Sequence, residues 1–116
     1  MNMNQLREQA LLKVKELDAM IRLHEEQELA YTQLLGLSIS PDLANEVIYD
    51  ELGGKIPEGL TGDLYLELPM ELSVLVEETE CKEVLIETFE RLTRLVDFWQ
   101  TIVHHERKRV LSLVQR

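Results

Sequence analysis

Residues 80–115 read ECKEVLIETFERLTRLVDFWQTIVHHERKRVLSLVQ, with neither glycine nor proline, and this stretch decides the fold. Leu85, Phe89, Leu92, Val96, Trp99, Val103, Val110 and Leu113 recur at steps of three and four, which stacks them on one face of a helix. At 1.5 Å per residue that helix, from about residue 80 to 115, would be roughly 54 Å long. The average globular helix has only about 11 residues. A helix of this length cannot bury its apolar stripe on itself, so it requires a partner of similar length.

The N-terminal third supplies the partner. A helix is expected from about residue 4 to 35, stopped by Gly36, with Met3, Leu6, Ala10, Val14, Leu17, Ile21, Tyr31 and Leu35 on its buried stripe. His24 and Glu28 interrupt that stripe at seam positions. Between the two long helices, Ser40-Pro41 reads as a cap followed by a first-turn proline. It opens a short helix over 41–52 that Gly53-Gly54 ends. Residues 53–63 (GGKIPEGLTGD) form a loop. Residues 64–78 read either way. Leu64-Tyr65-Leu66-Glu67-Leu68 alternates as a short strand would, although a lone strand is unstable without a partner. A helix starting at Pro69 fits 69–76 better than a second strand, and Thr79 suits as the cap of the final helix. The fold expected is a single all-α domain: a long antiparallel helical hairpin with one or two short helices between. Two such hairpins would dimerise into a four-helix-type core. The antiparallel pairing places His24 opposite Val96 and His104 opposite Glu16.

The 116 residues are 45% hydrophobic and carry a net charge of −10. The charge is unevenly spread. Residues 38–80 hold one lysine, Lys55, against eleven acids, while residues 81–116 hold seven basic residues against five acids. An acidic middle third disfavours nucleic acid and anionic membranes as general partners. No stretch approaches the roughly 18 apolar residues of a membrane span, and residues 1–10 lack the apolar core of a secretory leader. Cys81 is the sole cysteine, so no internal disulfide forms, and the cytoplasm is the expected compartment.

Few features could carry chemistry. His24 and Glu28, at i and i+4, share a helix face and can both reach one ion. A di-iron bundle, however, needs two Glu-x-x-His motifs, and Thr101 and Ile102 stand where His104 and His105 would need glutamates. In the antiparallel register His24 and His104 lie about 12 Å apart. A seam polar residue stacked near Trp99 and fixing register therefore outweighs a metal ligand, and no metal or cofactor is assigned. His104, His105, Arg107, Lys108 and Arg109 form the one basic cluster. Their consecutive placement points them around the helix, and positive side chains near a helix C-terminus answer its dipole. Gly54–Thr61 imitates part of a phosphate-binding loop but has Leu60 where the lysine belongs. Cys81 lies among Glu78, Glu80 and Glu83, which oppose a thiolate.

Apolar side chains off the main stripes remain. Leu23 and Leu29 on the first long helix, and Leu95, Phe98 and Ile102 on the last, widen each apolar face, and together with Trp99 of the stripe itself they are the candidate protein-interaction residues. The expected function is non-catalytic: a protein-binding adaptor, assembly factor or chaperone-like protein, homodimeric, with an unidentified protein partner. The competing reading is a nucleic-acid-associated regulator that uses the basic 104–116 tip or acidic mimicry. A metal-binding bundle ranks third.

Overall fold

The computed structural model describes residues 2–36, 43 and 69–115. The expectations for a short helix over 41–52 (Leu43 apart), a loop over 53–63 and a strand over 64–68 lie outside the described residues. Three helices are described: α1 (Met3–Leu35), α2 (Pro69–Glu78) and α3 (Lys82–Val114). The long pair are 33 residues each, about 50 Å at the helical rise, which matches the longest dimension of the molecule, 52 Å.

Local chemistry sets the helix ends. Asn2 caps α1 in a reciprocal box: its side chain accepts from the Gln5 N–H at 2.9 Å, and the Gln5 side chain accepts from the Asn2 N–H at 3.1 Å. These bonds satisfy two donors that a helix start otherwise leaves open. At the other end Gly36 adopts a left-handed conformation, φ 67°, and its N–H reaches the carbonyls of Gln33 and Thr32. A residue with a Cβ would be strained there. α2 begins at Pro69, where the missing N–H costs nothing. Cys81, not Thr79, is the N-cap of α3, and it makes no side-chain capping bond. Thr79 instead accepts the Cys81 N–H through Oγ1 at 3.3 Å, one step too early to cap.

The two long helices pair along their lengths, but they run in the same direction. Arg7, in the second turn of α1, donates to the carbonyls of Val76 and Thr79, just ahead of α3. Far along α1, His24 and Gln27 meet Val103 and Glu106, far along α3. Number differences across these contacts stay between 69 and 82, as a parallel pair requires. The antiparallel direction read from the sequence is corrected accordingly. It assumed a direct reversal, whereas the chain between α1 and α3 is long enough to return to its starting end, as in bundles with crossover connections.

The last part of that return is α2. Its first residues, Pro69, Met70 and Ser73, border one depression with Val14, Lys15 and Asp18 of α1, and its final turn lies at Arg7. It therefore descends against α1. The chain then reverses within residues 79–81, so α2 and α3 make a short helical hairpin, with Leu75 beside Val84 and Thr88. The Arg7 guanidinium satisfies carbonyls at the end of α2 and complements its dipole.

The core lies where all three helices meet. Leu6, Ala10, Val14 and Leu17 of α1 pack in one cluster with Leu72 and Val76 of α2 and with Leu85, Leu92, Leu95, Val96, Phe98, Trp99 and Ile102 of α3. Each fully buried leucine contributes about 1.5–3 kcal/mol relative to exposure. Among the described residues no helix is long and apolar enough to cross a membrane.

Candidate functional site

Parallel pairing brings together side chains that an antiparallel pair would hold apart. His24 and Glu28 project from successive turns of α1, and Glu106 enters from α3 between His105 and Arg107. The Glu106 side chain is fully buried, and those of His24 and Glu28 are 13% and 23% exposed. His24 Nδ1 lies 2.7 Å from Glu106 Oε2, and His24 Nε2 lies 3.6 Å from Glu28 Oε1. An ionised carboxylate only accepts, so with Glu106 ionised Nδ1–H is the donor, which leaves Nε2 facing Glu28. One ligand atom from each of the three lies within 4.8 Å of the others.

Backbone and amide groups hold these carboxylates in place. Gln27 Nε2 donates to Glu106 Oε1 at 3.3 Å and to the Val103 carbonyl at 3.1 Å. The Leu43 N–H donates to Glu28 Oε1 at 3.0 Å. The His24 ring packs against Trp99, centroids 5.0 Å apart and tilted by 52°. Trp99 is in turn edge-on to Phe98 at 6.3 Å. The cluster is thus a polar island with an aromatic wall on one side, and burying its charges is tolerable only because they are paired and hydrogen-bonded.

The other candidates are scattered. Leu95, Phe98, Trp99 and Ile102 are at most 5% exposed. As core residues they offer no free face, because the 95–98–102 row falls within the buried side of α3 together with Leu92 and Val96. Leu23 is half-buried, and only Leu29, 60% exposed, is open to a partner. In the basic cluster His104, Arg107 and Lys108 are exposed, while His105 and Arg109 are half-buried. The rings of His104 and His105 lie edge to face at 5.6 Å, and neither histidine belongs to the buried cluster. Cys81 is exposed and free, its Sγ 3.7 Å from a Glu83 carboxylate oxygen.

Glu106 and Gln27 had no part in the expected site. Glu106 continues the spacing of Trp99 and Ile102 by a further four residues, so the helical period already placed it on the buried face. Its position inside a run of charges disguised it. Comparison with known proteins found no matching family model, no similar curated protein and no similar solved structure.

Proposed function

We propose that this chain is a non-catalytic, protein-binding helical protein that works as a homodimer. The observation that supports this reading is an exposed apolar end among the described residues. The stripes that are buried from Leu6 to Leu17 and from Leu85 to Ile102 continue to Leu35 and Val114, which are 40% and 60% exposed, with exposed Leu34 and Leu111 beside them. In the parallel register these four residues share the end of the molecule where both long helices finish. Exposed apolar clusters with a polar rim mark association surfaces.

The occupant that fits is a second copy of the chain. The rim is basic, with Arg107 and Lys108 exposed, and residues 38–80 carry one lysine against eleven acids, so each copy holds both halves of a complementary pair. Opposite charge steers such an encounter, while apolar contact supplies most of its affinity. A dimer formed in this way joins the two copies where their long helices finish. It would present its remaining exposed residues, Leu29 among them, to the protein it serves.

Sedimentation equilibrium on the full chain tests this. The expected result is a dimer that weakens in high salt and is lost in Leu111→Asp/Val114→Asp, with helix content unchanged by circular dichroism. A monomer at tens of micromolar would contradict the homodimer. The exposed Arg107 and Lys108 also keep the nucleic-acid reading in play. A DNA mobility shift at low salt that disappears in Arg107→Ala/Lys108→Ala would favour it, and the absence of any shift would remove it.

A further inference from the structure

The His24–Glu28–Glu106 cluster has the donor set of a cation site, and its chemistry reaches beyond a role in pairing helices. We propose that these three side chains bind a divalent first-row transition-metal ion, with His24 and Glu28 supplying ligands from α1 and Glu106 completing the set from α3. One imidazole nitrogen and carboxylate oxygens, without a thiolate, suit Zn, Co, Fe(II) or Mn rather than Cu(I).

Geometry carries the argument first. Ligands about 2.0–2.2 Å from one ion stand roughly 3.0–3.5 Å from each other. His24 Nε2 and Glu28 Oε1 are already 3.6 Å apart, and all three residues offer an atom within 4.8 Å. Glu106 Oε2 stands on the Nδ1 side of the His24 ring, so a turn of that ring or of the Glu106 carboxylate has to complete the set. The ligands sit on two packed helices and not on a loop, the condition for a rigid site.

Charge carries it next. Two carboxylates share the cluster with one imidazole. A divalent ion pairs favourably with carboxylates and takes the histidine in its neutral form, the form that ligates. The surrounding bonds are those that orient metal ligands: Gln27 on Glu106 at 3.3 Å and the Leu43 N–H on Glu28 at 3.0 Å. Partial exposure of Glu28 leaves a path by which an ion and its remaining water ligands enter.

The sole tryptophan, Trp99, lies 5.0 Å from the His24 ring and provides the readout. Full-length protein stripped with chelator is titrated with Co(II), which quenches nearby indole fluorescence and gives visible absorption when bound by N and O ligands. The expected result is saturable quenching at one ion per chain, with affinity reduced on the order of tenfold or more in Glu28→Gln and in His24→Gln. It should be unchanged in His104→Gln/His105→Gln. Circular dichroism of each variant confirms that the helices are intact. Zn(II) should compete with Co(II) and should raise the melting temperature of the wild-type chain and of His104→Gln/His105→Gln, but not of Glu28→Gln or His24→Gln. Failure of 1:1 quenching at millimolar Co(II) (roughly the weak end of biological affinities) overturns the proposal. So does binding that survives both Glu28→Gln and His24→Gln, or that depends on His104 and His105. The oligomeric state does not enter these outcomes, so the proposal stands or falls separately from the dimer.

Discussion

The two halves of the paired long helices use the same seam positions for opposite purposes. Over the half nearest the N-termini, Leu6, Ala10, Val14 and Leu17 face Leu85, Leu92 and Val96, and α2 adds Leu72 and Val76. That seam is apolar, with Thr88 turning its hydroxyl back to the Val84 carbonyl at 2.7 Å. Over the other half the positions fall to His24, Gln27, Glu28 and Glu106, joined by hydrogen bonds and ion pairs. The dry half supplies stability, since apolar burial is non-directional and scales with area. The polar half supplies specification. A slide of one helix by a turn would leave a buried carboxylate without its histidine, an arrangement that costs far more than a slipped leucine. The sequence needs such a device because leucines and valines at regular spacing pack acceptably in several registers.

The contrast makes its strongest prediction at Glu106. Glu106→Leu alone removes the acceptor of His24 Nδ1 and of one Gln27 N–H and should lower unfolding free energy by about 3–5 kcal/mol. Glu106→Leu combined with His24→Leu should restore most of that loss, because replacing both partners of a buried pair is often neutral. Urea denaturation of the two variants and the wild type checks both statements. A double variant as unstable as the single would mean that the polar half stabilises in its own right. In the dry half, Leu17→Ala should cost about 2–5 kcal/mol with no second substitution able to rescue it, again by urea denaturation.

Smaller effects sharpen the edges of the comparison. Arg7 ties α2 to the dry half through two carbonyls, and charged hydrogen bonds of this kind are worth about 1.5–3 kcal/mol. Arg7→Ala should therefore cost an amount in that range and speed amide hydrogen exchange in α2 before α1 or α3. Gly36→Ala meets no neighbour within 4 Å, so its cost is backbone strain alone, about 1–2 kcal/mol. Thermal denaturation should place it as the mildest of the four single substitutions.

Much of this fold is legible in the residues themselves. Period and punctuation place both long helices: the runs of apolar residues at three and four, Gly36 as a stop, Pro69 as a start. The Asn2–Gln5 box carries its own signature, a cap residue followed three positions later by glutamine, but the expected start near residue 4 rests on the apolar period and passes over it. Direction was not readable. A helical stripe looks the same to a partner running either way, and what selects the parallel arrangement is the route of the return chain and contacts such as Arg7 with Val76. The site follows from direction, since His24 meets Glu106 only in the parallel pair. His24 and Glu28 were visible as seam polar residues, but Glu106 lay hidden in HHERKR, where local charge outweighed its spacing from Trp99 and Ile102. The burial of the off-stripe residues Leu95, Phe98 and Ile102 was hidden for a related reason. How wide a helix's buried face is depends on how many neighbours it has, and one helix's sequence does not count them.

The parallel direction is the claim on which everything else rests, and spin-label distances test it most directly. In a Cys81→Ser background, labels go on the exposed positions Glu8 and Glu83 in one sample and Glu8 and Leu111 in another. Each is diluted into unlabelled protein so that only distances within one chain are read. Parallel helices predict a short distance for the first pair and, at 1.5 Å per residue, a separation of about 40 Å for the second. The reverse, with Glu8 close to Leu111 and far from Glu83, would contradict the parallel pair and with it the meeting of His24, Glu28 and Glu106.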